Sequence, residues 1–277
     1  MKLQTAKLKA EVNTFEDSLE RLQVLKDQYK GETAYIVAGG PSLNKYSKDY
    51  LKEFMSDKLC MPIKQSYSFL KEVSDFHLLN FCNFSPYDWS DNKSIITWAL
   101  FEQFHPQMIF ENNIAHDLFI PIFRNNPATG GGEQGPNKML YSLAEKEDWD
   151  TMKLDNPEYS FNQPWGPGIM YELAIPLAIY LGCSKIVTVG WDIGDLSTFK
   201  VQTGPELHTQ PAVFQDHFYG EEHNNIVYQK TKMRPREIIS VAKATKGIYY
   251  WLKEQGIDWE IVSDTNPGYE GIKRIEL

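Results

Sequence analysis

Cysteine is scarce in this chain: Cys60, Cys82 and Cys183 are the full set, odd in number and far apart. With no CxxC pair, neither a disulfide framework nor a cysteine zinc site is expected, and a reducing cytosol suits the chain best. Long apolar runs are missing too. The longest candidate, Ile169 to Leu181, contains Glu172 and falls short of the roughly 20 residues a membrane-spanning helix needs. No apolar signal core opens the chain, so the expected location is cytoplasmic, with at most a peripheral membrane contact. Positive charge is short as well: 28 Lys and Arg stand against 37 Asp and Glu, a formal net charge of −9. Affinity for nucleic acid comes largely from neutralising phosphates, so broad binding to DNA or RNA is not expected. GxSxG and HExxH are absent, which leaves serine hydrolase and zincin chemistry without support.

What is present gathers around one stretch. Tyr35-Ile36-Val37-Ala38-Gly39-Gly40-Pro41-Ser42-Leu43 runs an apolar segment into two glycines, a proline and a serine. Thr33 to Ala38 is β-rich and unbroken, as a strand buried on both faces would be. Gly39 and Gly40 admit backbone angles closed to other residues, and Pro41 suits a first helical turn. Such a strand, turn and helix start would aim backbone N–H groups beyond the carboxyl end of a strand, where open α/β sheets bind phosphate-bearing ligands. The same residues also describe a plain strand-to-helix turn. A second turn of this design lies downstream: Trp165-Gly166-Pro167-Gly168 opens the apolar segment Ile169 to Leu181, and Gly182 ends it before the strand Lys185 to Gly190. Two such turns could grip the two ends of one nucleotide.

Ahead of the first strand, Leu8, Val12, Phe15, Leu19, Leu22 and Leu25 recur at helical spacing. They predict one N-terminal amphipathic helix to about Tyr29, packed on the domain or forming a short dimerisation seam. Residues 1–30 are therefore read as a helical extension and 31–277 as the main domain. Leu43 to Met55 reads as helix and Leu59 to Ile63 as the second strand, with Lys64-Gln65-Ser66-Tyr67 at its carboxyl end. Phe76 to Phe81 reads as the third strand, Ser94 to Trp98 and Gln107 to Phe110 as short ones, and Trp259 to Val262 as the last. Lys138 to Trp149 and Pro235 to Gln255 read as helices. Strands alternate with helices nearly throughout, so the expected fold is α/β, a Rossmann-like, doubly wound, mainly parallel sheet. Pro127 to Pro136 has the composition of a surface loop, and the polar, aromatic residues 195–232 are expected to form a mobile lid over the acceptor.

Several side chains could carry chemistry. Asp192 follows the strand Ile186 to Gly190 and would bring a carboxylate to the carboxyl edge beside the first glycine turn if the sheet is parallel. Gln65 and Asn80 end strands in amides, which can read a base or a sugar without changing charge. The densest reactive set is Asp216-His217-Phe218-Tyr219-Gly220-Glu221-Glu222-His223. Histidine has the near-neutral pKa that a general base needs, and the spacing here matches no common zinc pattern. Tyr219 and Tyr228 are candidates to stabilise a leaving group where no metal does so.

These motifs resemble, in order, those of bacterial family 42 sialyltransferases: Ala38-Gly39-Gly40-Pro41-Ser42-Leu43, Asn80, Phe161-Asn162-Gln163 ahead of a glycine turn, Val189-Gly190-Trp191-Asp192, and Tyr219 to His223. The opening is also similar to the Gly-Asn-Gly-Pro-Ser-Leu proteins, among them archaeal 6-hydroxymethylpterin diphosphokinases and flagellin-modifying transferases. The resemblance implies a Rossmann-like domain with a lid, a CMP-linked sugar donor, a glycan acceptor and no metal or other cofactor. It makes Gly40, Pro41 and Ser42 part of the nucleotide loop, Asn80 a hydrogen-bonding partner of the donor nucleotide and Gly168 the opening of the helix that faces it; Gly39, Gln65, Gly166 and Asp192 are expected beside them as further donor-binding positions. Tyr219 would lie near the phosphate and His223 would be the base. Gly39 and Gln65 stand where the family has Asn, and Pro164 to Gly168 replaces its Arg-x-Thr-Ser-Gly stretch. The expectation is accordingly a sialyltransferase-like transfer with the donor sugar unassigned. The alternatives are a pterin-type diphosphokinase using ATP and Mg²⁺, or a binding relative without catalysis.

Overall fold

The computed structural model describes residues 2–80, 87–91, 93–101, 115–122, 169–192, 245, 248–263 and 271–277. Within them the regular elements are α1 (Lys2–Val12), α2 (Ser18–Leu25), β1 (Thr33–Val37), α3 (Lys48–Met55), β2 (Leu59–Pro62), α4 (Tyr67–Leu70), β3 (Phe76–Asn80), β4 (Ile95–Phe101), β5 (Leu118–Ile122), α5 (Ile175–Tyr180), β6 (Lys185–Val189), β7 (Asp258–Val262) and β8 (Lys273–Arg274). Residues 248–254 are helical as well. No helix among the described residues is long and apolar enough to cross a membrane.

Among the described residues every strand pairing is parallel. Strands pair as β2-β1-β6-β7-β8 and as β3-β4-β5, and a parallel bridge from Ile63 to Leu78 joins the two sets. The chain thus steps outward from β1 through β2 to β5, then returns to the other side of β1 with β6. That reversal is the topological switch point of a doubly wound sheet, and it opens a crevice beyond the carboxyl ends of β1 and β6.

Both faces of the sheet are covered, which explains why its strands read as unbroken apolar runs. Side chains alternate across each strand. Ala34, Ile36, Leu59, Met61, Ile186 and Ile261 join one apolar cluster with Leu8, Val12, Leu22, Leu25 and Leu177. Val37, Cys60, Val187, Val189 and Val262 join another with Leu43, Leu51 and Met55. Burial of Cys60 and Cys183 leaves both as free thiols with their pKa pushed up to about 12, the behaviour of inert core cysteines.

The single helix expected from Leu8 to Tyr29 is two helices. Asp17 ends the run by capping α2, its carboxylate accepting from the N–H groups of Leu19 and Glu20 at 2.8 and 3.1 Å. The spacing predicted apolar contact correctly, and the structure assigns that contact to the core: Leu8, Val12, Leu22 and Leu25 pack under the sheet. α1 is also pinned at the amino ends of the strands. Lys2 pairs with the buried Asp75 just before β3, and Lys9, two turns on, pairs with Asp117 just before β5 at 3.1 Å. Each aspartate also accepts a backbone N–H of the neighbouring strand, Cys60 for Asp75 and Ile96 for Asp117.

Other boundaries moved for local reasons. Leu43 to Met55 is a 3-10 turn, Pro41–Lys45, followed by α3, because Ser47 caps a new helix by accepting from Tyr50 N at 3.1 Å. The apolar segment before Gly182 begins as a π turn over Met170–Ala174, in which Ile175 N bonds to Met170 O. Pro176 cannot donate to the carbonyl four residues back and its ring crowds that carbonyl, so the preceding turn widens. Strand β5 went unread in the sequence because Pro121 interrupts it; it is the outermost strand of its set, where proline is tolerated. The expected strand Gln107 to Phe110, the helix Lys138 to Trp149, the loop Pro127 to Pro136 and the lid 195–232 lie outside the described residues.

Candidate functional site

The sheet order sets the carboxyl ends of β3, β2, β1, β6 and β7 in one row. Along it stand Asn80, the turn Lys64–Ser66, the turn Gly39 to Ser42, Gly190 to Asp192, and Ser263. Residues far apart in the chain are neighbours here because parallel strands deliver all their following loops to the same edge.

Between β1 and β6 the ladder continues into the turns. Ala38 N donates to Val189 O at 2.8 Å and Gly40 N to Gly190 O at 2.7 Å. That approach leaves no room for a side chain: a Cβ on Gly40 would lie 2.3 Å from Gly190 O and 2.5 Å from Asp192 Oδ2. Gly190 takes a left-handed backbone with φ 65°, and a Cβ there would meet Leu43 at 2.7 Å. Gly39 has open space where its Cβ would be.

Asp192 closes this turn. Its Oδ2 accepts from Ser42 N at 2.6 Å, Ser42 Oγ shares its hydrogen with both carboxylate oxygens at 2.7 and 2.9 Å, and Ser263 Oγ donates to Oδ1 at 2.5 Å. Leu43 N is bonded to Gly40 O at 3.2 Å, and Pro41 has no N–H. The sequence reading reserves these donors for a ligand phosphate; in the structure the half-buried Asp192 carboxylate takes the anion's place. A phosphate charge brought within about 4 Å of it would be repelled by about 4 kcal/mol at an effective dielectric near 20. What the cluster offers a ligand is a carboxylate flanked by hydroxyls, which suits sugar hydroxyls. The adjoining Trp191 anchors it, buried edge-on against Tyr171 at 5.3 Å and stacked on Trp259 at 6.1 Å.

On the other side of β1, Gln65 sits in the 3-10 turn Lys64–Ser66. His77, fully buried on β3, holds this turn. Trp89 Nε1 donates to His77 Nδ1 at 3.1 Å, so Nε2 carries the proton and donates to Lys64 O at 3.0 Å. The ring stacks on Tyr67 at 4.0 Å and meets Tyr87 edge-on at 4.8 Å. Burial pushes the His77 pKa down to about 3, with the Lys64 carbonyl opposing, so this imidazole is a neutral structural donor and not a base.

Of the expected site residues, the structure brings Gly39, Gly40, Pro41, Ser42, Gln65, Asn80 and Asp192 to one edge, and Asn80 ends β3 nearly buried. Gly166, Gly168, Tyr219 and His223 lie outside the described residues. Sequence reasoning missed Ser263, although it follows a strand just as Asp192 does. Lys64 and His77 were passed over because neither spacing nor composition marks a left-handed turn or the imidazole beneath it. Two patterns outside the described residues also went unread: Gly130, Gly132 and Gly135 fit the spacing G-x-G-x-x-G, and Asp148-Trp149-Asp150 is an Asp-x-Asp pair.

No family model matches this chain, and no curated protein matches it. Among solved structures it is similar to the MAf glycosyltransferase from Magnetospirillum magneticum AMB-1, with 14% sequence identity and a TM-score of 0.48 over 99% of this chain. The chain spans 38% of that protein's length, and a likeness at this level assigns no function.

Proposed function

We propose that this chain is a nucleotide-dependent glycosyltransferase whose donor lies along the carboxyl edge at the crevice between β1 and β6. The observation that supports this reading most directly is the cluster of Ser42, Asp192 and Ser263 at that crevice. Open α/β sheets bind their ligands at such a point, and a carboxylate beside two hydroxyls matches the hydroxyls of a ribose or hexose. Gln65, in the turn after β2, and Asn80, at the end of β3, supply amides for a base. The finer reading is a sialyltransferase-like, metal-independent enzyme with a CMP-type donor and a glycan acceptor. His223 takes the proton of the acceptor hydroxyl as its oxygen attacks the anomeric carbon. The bond from that carbon to the phosphate oxygen breaks, and the nucleotide leaves with the electron pair, its charge met by Tyr219.

A thermal-shift screen tests this. CMP or CDP without divalent metal is expected to stabilise the protein, by about 2.7 kcal/mol at a hundredfold excess over Kd. The screen is repeated with Mg²⁺ and Mn²⁺, because carboxylates such as Asp148 and Asp150 bind hard cations. Stabilisation by ATP only with Mg²⁺ would replace the reading with a diphosphokinase, and silence toward every nucleotide would leave a non-catalytic binding protein. Once activity is measured, His223→Ala should lose at least about 10²-fold in turnover with donor binding little changed, while His217→Ala stays near wild type. The reverse pattern would move the base to His217.

A further inference from the structure

A short segment at the β8 edge runs back toward the first glycine turn. Lys273 and Arg274 pair with Glu260 and Ile261 of β7, and Ile275 N donates to Ile261 O at 2.9 Å, so residues 273–275 are fixed in the sheet. Leu277 is fixed elsewhere. Its N–H donates to Tyr46 Oη at 3.2 Å and its carbonyl accepts from Tyr50 Oη at 2.7 Å, so both backbone polar groups of one residue are satisfied by two tyrosines. Those tyrosines are themselves held in a row. Tyr46, just before α3, and Tyr50 and Phe54 within it recur every four residues. Their rings stack at 5.6 and 6.2 Å, and Tyr35 of β1 meets Phe54 edge-on at 5.5 Å.

Between the two anchors lie β7 and β6. Ile275 and Leu277 pack on the apolar cluster that holds Val189 and Val262, the last residues of those strands. The contacts form a closed ring. Tyr46 ends the 3-10 turn Pro41–Lys45, its N–H bonded to Leu43 O at 2.9 Å, and within that turn Ser42 holds Asp192. Asp192 accepts in turn from Ser263, the residue that follows β7. From there the ring returns along β7 to Ile275, with Arg274 Nη1 also reaching Ser263 O at 3.4 Å. Asp192 therefore stands between two hydroxyl-bearing flanks, and residues 273–277 tie those flanks together.

We propose that residues 273–277 are a strap that sets the spacing of Ser42 and Ser263 across Asp192, so that docking of the strap and binding of a ligand at the crevice are coupled. This deepens the reading above and rests on it only for the identity of the ligand. A docked strap keeps the two hydroxyls where a ligand spanning them meets both, and a ligand that spans them favours the docked strap. Coupling of this kind is reciprocal, because each partner biases the same equilibrium. Tyr46 and Tyr50 act here as positioning residues.

The test is amide hydrogen exchange read residue by residue by NMR, on wild type and on the double variant Tyr46→Phe/Tyr50→Phe, with and without CMP. The variant loses both hydroxyls that hold Leu277 and keeps the ring stack. Without ligand, the Ser42 amide, whose acceptor is Asp192, should exchange at least about fivefold faster in the variant, the worth of two lost hydrogen bonds at the low end. The amides of Lys185–Val189, in the middle of the sheet, should exchange as in wild type. By calorimetry, CMP should bind the variant at least about fivefold more weakly, and in wild type it should slow exchange at Ile275. Unchanged Ser42 exchange overturns the strap, and so does equal acceleration throughout β6, since the hydroxyls would then serve the whole fold. CMP that binds both proteins equally, or binds wild type without slowing Ile275, overturns the coupling. Faster Ser42 exchange in the variant with no nucleotide bound by wild type leaves the strap standing and removes the nucleotide reading.

Discussion

Gly40→Val is expected to cost about 3–5 kcal/mol of folding stability before any ligand is added. The new Cβ would lie 2.3 Å from the backbone oxygen of Gly190 and 2.5 Å from Asp192, and neither can step aside cheaply. Gly190 O is the acceptor of the Gly40 N–H, and Asp192 is held by Ser42 and Ser263. Overpacking a close contact costs about 1–3 kcal/mol, and losing a hydrogen bond to a charged group adds about 1.5–3. Urea titration reads the loss as a lower midpoint at unchanged slope. Gly39→Ala is the contrast: its Cβ would meet nothing within 4 Å, so its cost should stay under about 1 kcal/mol. A Gly40→Val protein as stable as Gly39→Ala would show that the contact between these turns does not hold the crevice in shape. The glycine that the sequence suggests for a ligand is, in the fold, required by the protein's own backbone.

Acidification should weaken the fold through His77 well before the carboxylates titrate. With its folded pKa pushed down to about 3 by burial, the ring stays neutral in the native state, while the unfolded chain takes up a proton near pH 6.5. Between those values the unfolded state binds more protons, so stability rises with pH and falls on acidification. The slope contributed by this one group approaches about 1.4 kcal/mol per pH unit, or about 3 kcal/mol by pH 4. Stability is complete above pH 6.5. Urea midpoints from pH 7 to pH 4.5, measured for wild type and His77→Gln, check it. The variant starts less stable because it loses the ring stack on Tyr67, but its curve should be flatter in this window. Parallel curves would mean that His77 gains its proton in the folded state, and that the bond to Lys64 O does not depend on a neutral ring.

Much of the fold was legible because its signals are local. The run Thr33 to Val37 and the strong strand Lys185–Val189 are rich in β-branched and apolar residues and buried on both faces, and burial on both faces is what a parallel sheet demands. Gly182 marked a helix end because only its φ of 84° continues the chain there. The same locality misled at Asp17, where a capping carboxylate broke a periodic pattern, and at Pro121, where only the position at an edge makes a strand possible.

The site divides along the same line. From sequence alone came the residue types and their places at strand ends: a glycine pair, a serine, an amide and a carboxylate, each following an apolar run. A parallel sheet is expected from the sequence to bring Asp192 beside the first glycine turn; that the two touch, and through which atoms, was decided by the strand order that lays β6 against β1. That adjacency turns Asp192 from one more strand-end acid into the group that occupies the first turn. The left-handed backbone of Lys64 likewise exists only because β1 and β3 hold its turn from both sides. Propensity and pattern act over a few residues, so they set the elements; hydrogen bonds between distant strands set their partners, and the chemistry of the edge belongs to the partners.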